Sequence, residues 1–179
     1  MNGAIPDDTT IFTERLTLSA ITVGDADEMV GVLSDDRLHE FIGGCPATLD
    51  ELRQRYQDLV AGSNERSEIW LNWIVRRKHD QVAVGTMQAT ISTTAEGQSS
   101  ADVAWVIGTA WQRHGFGTEA AQSLVDWLRG HGVDDITAHI HPDHHASAIV
   151  ASRAGLQPTS EQHESETVWR LSVRLRPRS

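Results

Sequence analysis

Three residue types are nearly missing from this 179-residue chain, which holds one cysteine, Cys45, one lysine, Lys78, and one tyrosine, Tyr56. A lone cysteine excludes an intramolecular disulfide and suits a reducing compartment, so a cytoplasmic location is expected. The lone lysine stands far from any glycine-rich loop, which excludes a Walker A nucleotide site, where lysine must follow the last glycine. No apolar run is long enough to cross a bilayer, and no membrane association is expected. Met1 to Thr10 offers neither a basic stretch nor an apolar one, so no secretory leader is expected. Positive charge is scarce as well: 25 acidic residues against 15 basic ones give a formal net charge of -10. Such a chain repels nucleic acid, and no nucleic-acid partner is expected. The sign suits a cationic partner, an amine or a basic peptide end, although an acid excess also simply keeps a protein soluble. The length suits one domain over residues 1–179, with 1–10 and 175–179 frayed.

Hydrophobic periodicity divides the chain. Glu14 to Ile21 sets Leu16, Leu18 and Ala20 against Arg15, Thr17 and Ser19, a period of two that predicts a half-buried strand. Asp25 to Leu33 reads as a short helix. Thr48 and Glu51 have the spacing of a capping box, and Leu49, Leu52, Tyr56, Leu59 and Val60 follow at helical spacing, predicting a helix that ends near Gly62. Ile69 to Arg77 and Val82 to Thr93 are β-rich and joined by the polar Lys78 to Gln81, which predicts a hairpin. Asp102 to Ile107 is the next strand. Thr118 to Arg129 then reads as a helix, Ile136 to His141 as a strand, Ala146 to Ala154 as a helix stopped by Gly155, and Val168 to Leu175 as a closing strand. This order predicts a mixed α/β architecture in which a sheet carries helices on both faces.

The most informative stretch is Gln112-Arg-His-Gly115-Phe-Gly117, between a strand and the helix opening at about Thr118. At a helix N-terminus several backbone N–H groups lack intrahelical partners, and the positive end of the helix dipole lies behind them. Glycine lets that backbone approach an anion closely, and a pyrophosphate is the usual guest. Gly115-Phe-Gly-Thr-Glu-Ala120 also satisfies a Rossmann dinucleotide pattern, with Asp134 and Asp135 about 20 residues on. That reading fits poorly, because a Rossmann loop is the tight turn of a first βαβ unit and this one follows an antiparallel meander.

The pattern Gln/Arg-x-x-Gly-x-Gly/Ala on a strand-loop-helix after such a meander resembles the GNAT (Gcn5-related N-acetyltransferase) superfamily, closest to its RimJ/RimL-like branch of ribosomal-protein acetyltransferases. Glu14-Arg-Leu-Thr-Leu18 is similar to that branch's opening strand, Ala101 to Trp105 to its fourth strand, and Ser147 to Leu156 to its closing helix and turn. The resemblance implies a central, mostly antiparallel seven-stranded sheet flanked by about four helices, with acetyl-CoA as co-substrate and an amine as acceptor. It implies that the amides of Arg113, His114, Gly115, Phe116, Gly117 and Thr118, with Gln112, cradle the CoA pyrophosphate, and that Val106 and Ile107 pair with its pantetheine arm. It further implies that His144 and Ser147 contact the arm near the sulfur, where Ser147 can relay a proton. The branch carries Asn-x-x-Ser where this chain has His144-His-Ala-Ser147, and many relatives carry an acidic tyrosine where this chain has Ala151.

Asp102 stands where the family often has a glutamate and is the candidate base for the amine. Alternation leaves its face undecided, so a solvated strand residue is the competing reading. Trp105 and Trp73 are the candidate substrate-binding aromatics. The acceptor is expected to enter between the N-terminal helices and the strand of Trp70 and Trp73, where Glu40, Glu65 and Glu68 offer negative charge. His139, His141, His144 and His145 invite a metal reading, but their spacing alone does not secure a zinc geometry and no cysteine stands near, so no metal is expected. Cys45 reads as a chance thiol. Two rival functions stay open: a CoA-binding module without turnover, and a dinucleotide-dependent oxidoreductase. A homodimer is compatible with the sequence.

Overall fold

In the computed structural model, which describes residues 9–133 and 135–172, the chain folds around one eight-stranded sheet in the order β1-β2-β3-β4-β5-β6-β8-β7. The strands are β1 (Ile11–Phe12), β2 (Leu16–Ala20), β3 (Glu68–Arg77), β4 (Ala83–Thr93), β5 (Ser99–Ile107), β6 (Asp135–Ile140), β7 (Gln157–His163) and β8 (Glu166–Ser172). The helices are α1 (Ala26–Val32), α2 (Asp36–Ile42), α3 (Leu49–Ala61), α4 (Phe116–Gly130) and α5 (His145–Arg153). Every strand pair is antiparallel except β5 with β6. No helix among the described residues is long and apolar enough to cross a membrane.

The mixed fold agrees with expectation, but the described residues form eight strands rather than seven and five α-helices rather than about four. β1 has two residues, too few to carry a period. β7 (QPTSEQH) buries none of its side chains and is held by pairing with β8, so hydrophobic alternation cannot mark it. α2 is a seven-residue helix capped by Asp35, whose carboxylate accepts from the Arg37 amide. The end of the predicted closing strand, beyond Ser172, lies outside the described residues.

Two apolar layers hold the sheet. On one face α4 and α5 pack Ala120, Ala121, Leu124, Leu128 and Ala151 against Leu16, Leu18, Trp73, Met87 and Ile136, all essentially without solvent contact. Burying each large aliphatic chain contributes about 1.5–3 kcal/mol before entropy is counted. On the other face α1 and α3 bury Ala26, Met29, Leu52 and Tyr56 over Ile74 and Ala83. This smaller layer is also pinned electrostatically. Arg76 on β3 reaches Asp25 at 2.7 Å and Glu28 at 2.6 Å, and Glu28 also accepts the Ala83 amide at 2.8 Å. α3 starts where the capping box is expected, with the Thr48 amide donating to Glu51 at 2.8 Å and the Glu51 amide donating back to Thr48 Oγ1 at 3.4 Å.

Register decides which side chains share a face. Trp70, Thr90, Asp102, Thr137 and Arg170 are paired in succession across β3, β4, β5, β6 and β8, so they form one row on the α1/α3 face. Their sequence neighbours Ala101, Val103, Ile136 and Ala138 turn the other way, into the α4/α5 core.

Candidate active site

The loop between β5 and α4 is built to expose amides. Arg113 and Gly115 both take left-handed backbone conformations, with φ of 65° and 81°, and Gly115 is the N-cap of α4. The second of these needs glycine for comfort, and the first carries the strain that a side chain adds there. None of the amides of Arg113, His114, Gly115, Phe116, Gly117 or Thr118 reaches a protein acceptor among the described residues. Behind them lies the positive end of a 15-residue helix.

Arg15, from the start of β2, braces this loop. Its Nε pairs with Glu119 Oε2 at 2.7 Å, its Nη1 donates to the His114 carbonyl at 3.0 Å, and its guanidinium lies 4.9 Å from the Phe116 ring centroid. Burial opposes ionisation of Glu119, but hydrogen bonds from Thr13, the Arg15 amide and the Arg15 guanidinium outweigh it and hold the carboxyl below its ordinary value. The Gln112 side chain is used internally, donating to the Ile107 carbonyl at 3.0 Å. The His114 ring folds back over the loop and stacks on Phe116, with centroids 5.7 Å apart. Of these two, then, His114 turns its side chain away from the cavity, while Gln112 lines it from a tethered position.

β5 and β6 pair only from Ser100 with Asp135 through Asp102 with Thr137. Beyond that point they diverge, and the β6-facing backbone of the rest of β5 has no strand partner. At Gly85 on β4, a Cβ would stand 2.1 Å from the Val106 carbonyl oxygen, so only glycine lets the end of β5 press this closely against β4. Two cavities open on the divergence. The first, about 600 Å³, runs from the loop amides and Thr118 past Val106 and Ile107 to α5. The second, about 390 Å³, lies between the arms of the divergence on the face of Asp102 and Thr90. Phe41, Ile42, Trp105, Val106, His144 and Ser147 line both.

Their charges differ. Arg37, Arg113 and Arg153 line the first cavity together with Glu40 and Asp143; Arg37 is paired with Asp35 at 2.7 Å, while Arg113 and Arg153 have no ion pair among the described residues and stand with the free loop amides. The second has Asp102 and Glu166 and no lysine or arginine among its described lining residues. An anion therefore suits the first and a cation the second.

At the junction stands the N-terminus of α5, where His144 is the N-cap and its Nδ1 accepts the Ser147 amide at 3.0 Å. An Nδ1 that accepts leaves the ring proton on Nε2, which lies 3.5 Å from Ser147 Oγ. Burial pushes this imidazole below the ordinary histidine value, and His141 and His145 nearby act in the same direction. A histidine thus supplies the side-chain cap of this helix.

Asp102 is on the open face, in the second cavity, with its carboxylate accepting from Thr137 Oγ1 and 3.8 Å from His139 Nε2. Trp105 lines both cavities. Trp73 corrects an expectation: it is fully buried on the opposite face, edge-on to Trp127 at 5.9 Å, with its indole N–H bonded to the Thr9 carbonyl at 2.8 Å, and cannot touch a substrate. Trp70, three residues earlier, is the tryptophan of β3 on the open face, and its N–H is held by Glu68 at 2.8 Å. Glu40 lines the first cavity, while Glu65 and Glu68 line neither. Cys45 is exposed and lines neither. No cluster of three or more metal-ligating side chains occurs among the described residues. Nothing local in the sequence brings Arg15, Arg37 and Arg153 to this site.

The loop follows a strand of an antiparallel meander, not the first strand of a parallel unit, which removes the structural premise of the Rossmann pattern. Comparison with known proteins agrees with this geometry. Residues 15–157 match the model of the acetyltransferase (GNAT) domain. No curated protein matches the chain by sequence. Among solved structures, an acetyltransferase of the GNAT family from Bacillus anthracis superposes with a TM-score of 0.74 at 17% identity, covering 92% of this chain and 98% of that one. The acetyltransferase from Agrobacterium tumefaciens gives 0.69 at 21%, covering 95% and 96%. RimL, a ribosomal L7/L12 alpha-N-protein acetyltransferase solved in complex with coenzyme A, gives 0.74 at 14%, covering 92% and 98%. At these identities the likeness is one of fold.

Proposed function

The chain belongs to the GNAT acetyltransferase family, and on that premise we propose that it moves the acetyl group of acetyl-CoA directly onto a primary amine while both substrates are bound. The observation that carries the reading is the run of unpartnered amides from Arg113 to Thr118, opening on a cavity that leads into the β5/β6 divergence. Those amides and the α4 dipole suit the CoA pyrophosphate, with Arg113 and Arg153 adding charge for the phosphates. The pantetheine arm lies along Val106 and Ile107, where the unpaired backbone of β5 can hold it, and one such N–H can stabilise the oxyanion that forms at the acetyl carbonyl.

The acceptor approaches through the second cavity, where Asp102 and Glu166 attract its ammonium and Trp105 offers an apolar wall. The amine must lose a proton before it attacks, and a second as the C–S bond breaks. Ser147, in the wall common to both cavities, sits where it can pass that second proton to the sulfur, and the Nε2–H of His144 beside it can support the thiolate. A peptide α-amine and a small-molecule amine are both compatible with the cavity. The Ser147 retained from the Asn-x-x-Ser of the RimJ/RimL-like branch favours the first, and the fold shared with RimL fits it. We read residues 1–179 as one domain.

A CoA-binding module without turnover is the second reading, because the tyrosine acid of many relatives has no counterpart. Ala151 is fully buried at that position, and Tyr56 lies in the other layer with its phenol pushed up to about 12, first by burial. Two measurements test the proposal. Acetyl-CoA at 100 times its Kd should stabilise the fold by about 2.7 kcal/mol where NAD(P)H does not. Steady release of free CoA with screened amines and peptides separates turnover from binding alone; binding with no release for any acceptor favours the module.

A further inference from the structure

Building on the acetyltransferase reading, we propose that His139 takes the proton from the acceptor ammonium, with Asp102 as the residue that orients it. Both stand on the open face, across the point where β5 and β6 separate. His139 is two residues past the last paired position, Thr137, on the β6 arm, and the position two residues past Asp102 on the β5 arm is Ala104, which leaves room between the arms. His139 Nε2 is 3.8 Å from Asp102 Oδ1, and the Thr137 hydroxyl, bonded to the same oxygen, fixes the carboxylate. The ring is held from its other side by stacking on His163 of β7, with centroids 5.0 Å apart and planes 26° from parallel. Nδ1 has no hydrogen-bond partner among the described residues, so it is the nitrogen available to a substrate. At 3.8 Å the pair is a near contact that must close to hydrogen-bond distance when substrate binds, as catalytic pairs do; a carboxylate bonded to Nε2 then fixes the tautomer and leaves Nδ1 as the base.

The neighbours leave His139 the best placed. His141 spends its Nδ1 accepting the Asp143 amide at 3.2 Å and lies beside the Phe41 ring, and His144 spends its Nδ1 on the α5 cap. The charged and titratable groups around His139 are Asp102 from β5, His163 from β7, Glu166 at the start of β8, His141 on its own strand and His144 from α5. Asp102 itself is already engaged by Thr137.

The protons balance. The ammonium gives its first proton to His139 Nδ1, leaving an imidazolium paired with the Asp102 carboxylate. The freed lone pair forms the N–C bond to the acetyl carbon, the C–S bond breaks, and the second proton leaves nitrogen for the CoA sulfur. His139 returns its proton to solvent through the open cleft.

Kinetics with acetyl-CoA and the best amine of the acceptor screen test this. His139→Gln should lower kcat by roughly 10²–10³-fold, leave the KM for acetyl-CoA within about twofold, and abolish the acid limb of the kcat–pH profile; added imidazole should restore part of the rate. Asp102→Asn should cost about tenfold and keep a limb. Two-dimensional ¹⁵N NMR of the wild type, which needs no variant to fold, should find His139 protonated at Nε2. Unchanged kcat in His139→Gln, an acid limb lost in Asp102→Asn but kept in His139→Gln, or an Nδ1-protonated ring would each overturn the dyad. Failure of the parent reading is separate: the wild type would then release no CoA with any amine, and the dyad's catalytic role would fall with it.

Discussion

Replacing Arg15 by alanine should weaken acetyl-CoA binding without unfolding the protein. The side chain is half exposed, so its ion pair with Glu119 is discounted to about 0.5 kcal/mol for solvent screening. The bond to the His114 carbonyl contributes about 1 kcal/mol, and the cation over Phe116 about 0.5 kcal/mol at an exposed site. Together they amount to about 2 kcal/mol of loop order, which a ligand must then supply. At 1.4 kcal/mol per tenfold, the Kd for acetyl-CoA should rise by roughly 10–30-fold. Glu119 keeps the Thr13 hydroxyl and the residue-15 amide, so no buried charge is orphaned and the melting temperature should fall only a little. Arg15→Lys, which keeps charge but loses the fork, should recover part of the affinity. Isothermal titration at fixed ionic strength measures the effect, with kcat at saturating acetyl-CoA as the control. A Kd within twofold of wild type, or a kcat that falls in parallel with a large drop in melting temperature, would refute the idea that Arg15 preorganises the loop.

Gly115→Ala adds a Cβ at φ 81° and 3.3 Å from Arg15 Nη2, and should raise the KM for acetyl-CoA about tenfold. It is a cleaner probe than a bulky residue at Gly117, where a side chain would first meet Ile107 and Val150 and disturb the seating of α4. Trp73→Ala should cost about 3–5 kcal/mol of stability in denaturant melts, whereas Trp105→Ala should instead raise the KM of the amine; the opposite pattern would contradict the assignment of faces. His144 is depressed by burial, so the unfolded state binds the extra proton first. Its contribution to stability is complete above the unfolded value of about 6.5 and is lost as pH falls through its folded value. His144→Asn keeps an N-cap and should flatten the melting temperature between pH 7 and 5 relative to wild type.

Much of this was legible in the sequence, and the parts that were not share physical reasons. α4 and its loop announce themselves because glycines, an amphipathic stripe and a C-terminal glycine all lie within some twenty residues. The β3–β4 hairpin is equally local. Alternation does not place Trp73, because β3 is apolar on both faces through Ile74 and Val75 and its inner residues cannot be told from its outer ones; only the register with β4 and β5 does that. β7 escaped because it buries nothing. Arg15 reaches Glu119 across 104 positions, and His139 reaches Asp102 across the one parallel junction of the sheet. Contacts made by topology leave no periodic trace, so the glycine-marked loop ahead of α4 is legible in the sequence while the Arg15 brace and the His139–Asp102 contact are not.

If the chain works as proposed, the amides ahead of α4 grip the diphosphate of a CoA thioester. A ¹H–¹⁵N correlation titration with acetyl-CoA reads those amides one by one. The resonances of Gly115, Phe116, Gly117 and Thr118 should shift downfield together and saturate at one equivalent. Saturable binding that leaves those four signals in place while others move would contradict it.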